Sequence, residues 1–425
     1  MNFYTIKEEN IMKKAIISLF LVWIMAFNMT GCSKDVKAQN LMEGITPNEI
    51  TVLEDLGEYN PIVAEFALNL FKACNEKGKN TLISPVSVLS ALAMTYNGAD
   101  GRTYEQMEKV FGMAADDINL YLHSYMNKLP QSKNYKLSLA NSIWFTDDER
   151  FTVNKDFLQT NGDYYGADIY KVPFNNKTCD EINDWIKDRT EGMIPKILDS
   201  IPSDAVMYLV NALAFEAEWA AVYYEDDVRD GVFTDEKGNK SDVEFMYGSD
   251  YVYYEDEYAT GFMKYYKDCK YGFVALLPNE GVSVSEYMDT LSGENLYSML
   301  ANPVYATVHT SIPKFETDYD VEMGNTLKEM GMTDAFDYKE ANFSRLGESK
   351  ERNIFISRVL HKTYISVGEK GTKAGAATVV EMVDGSAIED PSDIKTVNLD
   401  RPFVYMIVDC ENNIPLFIGT MMNIN

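Results

Sequence analysis

The chain has 425 residues, a formal charge of −28, 46% hydrophobic and 12% aromatic residues. This composition describes a globular protein with a large core and excludes a disordered chain. The missing basic footprint argues against nucleic acid, heparin-like polymers or anionic lipid as direct partners. The cysteines (Cys32, Cys74, Cys179, Cys269, Cys410) show no CxxC spacing, and the histidines (His123, His309, His361) are scattered. Neither a zinc or other metal site nor a thioredoxin-like motif is expected.

Lys13 and Lys14 precede an apolar run, Ala15 to Phe27, that ends in Met29-Thr30-Gly31-Cys32. A basic start, a short apolar core and small residues before a cut make a secretory signal. At about 13 residues the run falls short of the roughly 20 that a spanning helix needs. The Thr-Gly-Cys ending resembles the lipobox of bacterial lipoproteins, in which the cysteine becomes the lipidated first residue of the mature protein. On that resemblance residues 1–31 are the signal, Cys32 is the lipid attachment site, and Ser33 after it directs the protein to the outer membrane. An ordinary cleaved signal with an incidental Cys32 is the alternative. Met12 is the expected start, because residues 1–11 add nothing to the signal. Residues 32–48 read as a polar tether, with the folded domain in 49–425. The spacing of the other cysteines fixes no pairing, and no structural disulfide is expected.

Pro61 to Cys74 places Val63, Phe66, Ala67, Leu70, Phe71 and Cys74 at helical spacing. Ser84 and Pro85 supply the N-cap and first residue of a second helix, apolar all round to Tyr96 and therefore buried. Thr103 to Gln106 reads as a capping box that opens a third. Lys136 to Phe145 alternates as a strand, Asp180 to Leu198 is helical, and Ala205 to Phe215 is a strand carrying Asn211 on its apolar face. A lone amide there must find hydrogen-bond partners or cost about 1–3 kcal/mol. Phe273 to Leu277 is a strand, Tyr319 to Met330 a helix, and Ile354 to Val367 a long strand that carries His361 among apolar side chains. Val404 to Val408 and Pro415 to Met421 are two further strands. Helices cluster early and strands late, which favours an α+β fold.

No GxSxG, HExxH, Walker A or dinucleotide motif is present, so neither an enzyme nor a cofactor is expected. The most informative run is Gly368 to Ile388. Thr372, Ala374, Ala376 and Thr378 alternate along it and are all small, so an extended chain would turn only small groups to one face. Taken alone it is either a surface linker or a segment able to enter a crowded sheet.

Several motifs together resemble the serpin family: Asn80-Thr81-Leu82-Ile83-Ser84-Pro85, Asn141-Ser142-Ile143-Trp144-Phe145, Asn183-Asp184-Trp185, Leu209-Val210-Asn211-Ala212 to Trp219, Gly368-Glu369-Lys370-Gly371-Thr372, Arg401-Pro402-Phe403 and Leu416-Phe417-Ile418-Gly419. The resemblance runs from about residue 49 to the end. It implies an α+β fold of three β-sheets with eight to nine helices and an exposed reactive-centre loop. It also implies suicide inhibition of proteases: the loop is cut, the protease stays attached as an ester, and the loop inserts into the main sheet. By the same resemblance Glu369, Gly371, Thr372, Ala374, Ala376 and Thr378 form the hinge. Ser84, Ser87, Asn211 and His361 form the shutter beneath the parting strands, and Trp219 marks the breach where insertion begins. Family spacing from Glu369 puts the reactive bond between Gly385 and Ser386, within a window from Met382 to Ile388. Small and medium apolar residues there suit elastase-like or subtilisin-like serine proteases, and the absence of Arg and Lys argues against trypsin-like ones. The implied partner is a target serine protease, or a cysteine protease, met by a monomer that touches membrane only through its lipid. A non-inhibitory serpin acting as a surface binding protein is the second reading.

Overall fold

A computed structural model describes residues 38–130, 132–147, 151–202, 205–349, 353–372 and 394–424. Among these lie nine α-helices: α1 Asn60–Cys74, α2 Pro85–Tyr96, α3 Gly101–Phe111, α4 Ala115–Lys128, α5 Lys155–Tyr165, α6 Asn176–Arg189, α7 Val284–Thr290, α8 Gly293–Ala301 and α9 Gly324–Glu329. The strands are β1 Gln39–Asn40, β2 Thr81–Ile83, β3 Tyr135–Thr146, β4 Phe151–Val153, β5 Asp168–Val172, β6 Met207–Glu218, β7 Val228–Thr234, β8 Lys240–Glu255 and β9 Ala259–Tyr265. They continue with β10 Tyr271–Pro278, β11 Val304–Pro313, β12 Phe315–Glu322, β13 Gly347–Ser349, β14 Arg358–Gly368, β15 Gly371–Thr372, β16 Lys395–Asn398, β17 Phe403–Asp409 and β18 Ile414–Met421.

The strands form three sheets, as the resemblance implies. The main one runs β1-β5-β3-β6-β15-β14-β12, a nine-stranded sheet contains β8 to β11 and β16 to β18, and β13 pairs with β4. Helix α2 is buried along its whole length and packs against β3, β6 and β18, so it lies between the two large sheets. Its almost wholly apolar sequence follows from that position. Phe215 on β6 meets Tyr266, Tyr271 and Phe417 at centroid distances of 5.2, 5.4 and 6.5 Å, tying the sheets together.

Several sequence expectations need correction. Tyr319 to Met330 is not one helix: Phe315–Glu322 is a strand at the edge of the main sheet, and only Gly324–Glu329 is helical. Phe315, Thr317, Tyr319 and Val321 turn inward there and alternate with exposed Glu316, Asp318, Asp320 and Glu322, a strand pattern. The helix expected to reach Leu198 ends at Arg189, because Glu191 and Gly192 take left-handed φ values of 51° and 81°. Thr103 is not a cap, since α3 begins at Gly101; its hydroxyl accepts from the Asn342 N–H instead. Ser84 flanks α2 as its N-cap residue, but its side chain makes no cap bond. The expected tether also ends early: Gln39 and Asn40 pair with Lys171 and Tyr170 of β5, and Met42 and Ile45 pack against Gly162. The compact unit starts at Ala38.

Candidate functional site

β6 and β14 are parallel neighbours only from Tyr208 and Arg358 to Leu213 and Thr363. Above that level the ladder between them is interrupted. At the top, the two-residue strand β15 sits between them and pairs antiparallel with both. Thr372 lies opposite Val367 and Ala217; Gly371 lies opposite Gly368 and Glu218. A cleft of about 1370 Å³ opens beside this point, lined among others by Glu216, Tyr364, Ser366 and Gly368 to Gly371. The main sheet is thus zipped below, interrupted in the middle, and capped by the first residues of the hinge.

The turn from β14 into β15 is held residue by residue. Three successive carbonyls accept backbone or indole N–H bonds: Gly368 O from Trp219 Nε1 at 2.8 Å, Glu369 O from Tyr223 N at 2.9 Å and Lys370 O from Trp219 N at 2.9 Å. Gly371 has φ +149°, and a Cβ there would stand 2.0 Å from the Ala217 carbonyl oxygen, so the site admits only glycine. Thr372 is fully buried and shares a hydrogen bond with the Tyr266 hydroxyl. The Tyr266 ring in turn stacks on Trp219 at 4.4 Å. The Glu369 carboxylate meets Lys314 Nζ at 2.7 Å, and Lys314 also reaches Glu244 at 2.9 Å. The hydrogen bond from Lys314 holds the Glu369 carboxyl below the usual carboxylate range.

Lower in the sheet a polar row crosses three strands. Asn141 on β3 is in register with Asn211 on β6, and Asn211 with His361 on β14. The Asn211 amide NH2 faces Asn141 Oδ1, Ser87 Oγ and Ser87 O, and its Oδ1 meets His361 Nδ1 at 2.6 Å. His361 Nε2 accepts from the Ser84 backbone N–H at 3.0 Å. Asn211 and His361 are fully buried. Burial alone drives the His361 pKa down to about 3, so the ring is neutral at ordinary pH. These bonds satisfy the buried amide and imidazole, and they lock the strands that would have to part for another strand to enter.

Ser84, Ser87, Asn211 and His361 therefore come together as one cluster, and Glu369, Gly371 and Thr372 come together against Trp219. Ala374, Ala376, Thr378, Gly385, Ser386 and Cys32 lie outside the described residues. Sequence reasoning missed the roles of Asn141, Tyr223, Tyr266 and Lys314. Asn141 carried the same signal as Asn211, an amide on the alternating face of Leu137, Leu139 and Ile143. The other three reach the hinge only through tertiary packing and leave no local pattern.

The family model described as "Serpin (serine protease inhibitor)" matches residues 62–424. The native-state crystal structure of tengpin, a thermophilic serpin, superposes with a TM-score of 0.86 at 46% identity, covering 91% of this chain and 100% of that one. The latent-state structure of tengpin gives 0.77 at 45% identity, covering 89% and 100%. The leukocyte elastase inhibitor of Equus caballus is 30% identical over 376 residues, 83% of this chain and 96% of its own. The chain belongs to the serpin family.

Proposed function

We propose that this serpin is a suicide inhibitor that traps elastase-like or subtilisin-like serine proteases as covalent acyl complexes. The observation that carries the reading is β15, the hinge residues Gly371 and Thr372, seated between β6 and β14 above an interrupted ladder. Continuing its register, Ala374 would come opposite Ile365 and Phe215, Ala376 opposite Thr363 and Leu213, and Thr378 opposite His361 and Asn211. The first inward positions of the incoming strand, Thr372, Ala374, Ala376 and Thr378, carry small uncharged side chains, so the start of insertion meets no bulk and buries no charge.

In this scheme the protease serine oxygen attacks the Gly385 carbonyl carbon. The Gly385–Ser386 amide bond breaks, and the Ser386 nitrogen takes a proton and leaves. The protease remains as an ester on Gly385, and insertion of residues 373 onward as a central strand carries it across the sheet. Val383, Gly385, Ala387 and Ile388 fit small apolar pockets, and a relative named for leukocyte elastase supports that class. A secretory signal at residues 1–31 and lipid on Cys32 would hold the inhibitor at the cell envelope.

The test is a denaturing gel of the protein mixed with elastase and subtilisin. A heat-stable band at the summed mass supports the reading. Loop cleavage without any such band returns the protein to the non-inhibitory class. Cys32→Ser is expected to release the protein from the membrane fraction; retention there would remove the lipid anchor from the scheme.

A further inference from the structure

Beneath the seat of the hinge lies a charged pair with no part in the acyl chemistry. Lys264 on β9 and Asp250 on β8 are 3% and 8% exposed, and Lys264 Nζ stands 3.6 Å from Asp250 Oδ1. The other Asp250 oxygen accepts from Thr310 Oγ1 at 3.0 Å. The Lys264 ammonium also lies 4.4 Å from the centroid of the Tyr223 ring and 5.7 Å from that of Trp219. Trp219 and Tyr223 are the two residues whose N–H groups hold the carbonyls of Gly368, Glu369 and Lys370.

Stability alone does not account for such a pair. Two buried charges lose hydration that their attraction barely offsets, and well-packed apolar residues of the same size often serve as well or better. An ammonium between two aromatic faces does something an apolar side chain cannot: it attracts each ring toward one orientation. The Trp219 indole N–H that donates to Gly368 O is itself part of one of those rings, and Tyr223 and Trp219 carry the backbone N–H groups beside them.

We infer that the Lys264–Asp250 pair positions Trp219 and Tyr223 so that the β14–β15 turn is held ready as the nucleus from which the reactive loop zips into the main sheet. This rests on the trapping reading above. Adding a strand residue by residue to an existing ladder is fast; the slow event is fixing the first turn and the first cross-strand pair, whose ordering entropy is not yet offset by contacts. Here Gly371 and Thr372 already make those pairs. Loosening the rings returns the nucleus to solution and leaves the rest of the strand to wait for it.

The experiment uses the full chain and its variants Lys264→Arg and Lys264→Met/Asp250→Asn, the double change removing both charges at similar volume. The loop is cut with thermolysin, a metalloprotease that activates water and so forms no acyl-enzyme. Insertion is followed by tryptophan fluorescence, and the melting temperature is read before and after. The expected result is that Lys264→Arg inserts at the wild-type rate, while the double variant inserts roughly tenfold more slowly. Its final inserted form melts where the wild-type form does. Insertion of the double variant at the wild-type rate overturns the inference. So does an inserted double variant whose melting temperature falls along with the rate, because that marks a structural role only. If wild type itself gains no melting temperature on cleavage, the trapping reading fails, and the inference with it.

Discussion

His361 Nε2 accepts a hydrogen bond from the Ser84 backbone N–H at 3.0 Å, and this contact decides where the imidazole proton sits. A ring nitrogen that accepts carries no hydrogen, so the proton is on Nδ1 and is donated to Asn211 Oδ1 at 2.6 Å. Protonating Nε2 would set an N–H against an N–H inside a dry core.

The consequence for pH is direct. His361 has a pKa near 3 when folded and about 6.5 when unfolded. Between those values the unfolded chain binds a proton that the folded chain refuses, so stability falls as pH drops through 6.5 and stops falling near 3. Lowering the pH from 7 to 5 is expected to cost about 2 kcal/mol through this one group. Urea midpoints across that range measure it, and His361→Gln should lose that share of the slope. An unchanged slope in the variant would assign the pH sensitivity elsewhere.

Asn211 joins the row on both sides, so its removal acts on two strand boundaries at once. Asn211→Leu keeps the volume but leaves the His361 Nδ1–H without its acceptor and the Ser87 hydroxyl without its donor. Each orphaned buried group costs about 1–3 kcal/mol. The uncut variant should melt well below wild type, and on warming it should convert to a loop-inserted form that no longer binds protease. Native gels after mild heating check this; a variant that keeps its full inhibitory titre would show that the row does not hold the sheet shut.

The hinge gives a pair of changes that differ in kind. Gly371→Ala places a Cβ 2.0 Å from the Ala217 carbonyl oxygen at a φ that L residues avoid, so β15 must leave its seat, at a cost above about 1 kcal/mol. Thr372→Arg puts a long charged side chain at a fully buried position beside Tyr266. Both variants should be cut by elastase or subtilisin without being trapped, with Thr372→Arg the more severe. Moles of inhibitor consumed per mole of protease inactivated measure this, and equal stoichiometry in Thr372→Arg and wild type would refute the inward placement of Thr372.

What the sequence revealed and what it hid divide along range of interaction. Asn211 and His361 announced themselves as polar residues on apolar alternating faces, and both are bound as such a position demands. The almost wholly apolar α2 declared its burial. The alternation of Thr372, Ala374, Ala376 and Thr378 singled out the hinge. By contrast, Tyr266 meets Thr372 across 106 positions and Lys314 meets Glu369 across 55, and no local pattern encodes such contacts. The end of the edge strand, Tyr319 to Glu322, was misread as part of the helix that follows it, although Tyr319 and Val321 alternate there with exposed acids. The docking of Gln39–Asn40 was hidden because two backbone-paired polar residues look like any tether.

The register of β15 leads to the last prediction. With Thr372 opposite Val367 and Ala217, Thr378 falls opposite His361 and Asn211 once the strand is complete. That position lies between two groups now bonded to each other, so entry of the strand must break the 2.6 Å contact from His361 Nδ1 to Asn211 Oδ1. A hydroxyl can replace it on both sides, accepting from one and donating to the other. Thr378→Val has the same shape without that capacity. The variant is expected to leave the melting temperature of the uncut protein unchanged and to lower the stability of the cleaved, inserted form by about 1–3 kcal/mol. Thermal melts of both forms decide it. A loss in the uncut form, or none in the cleaved form, would mean that the strand enters in another register.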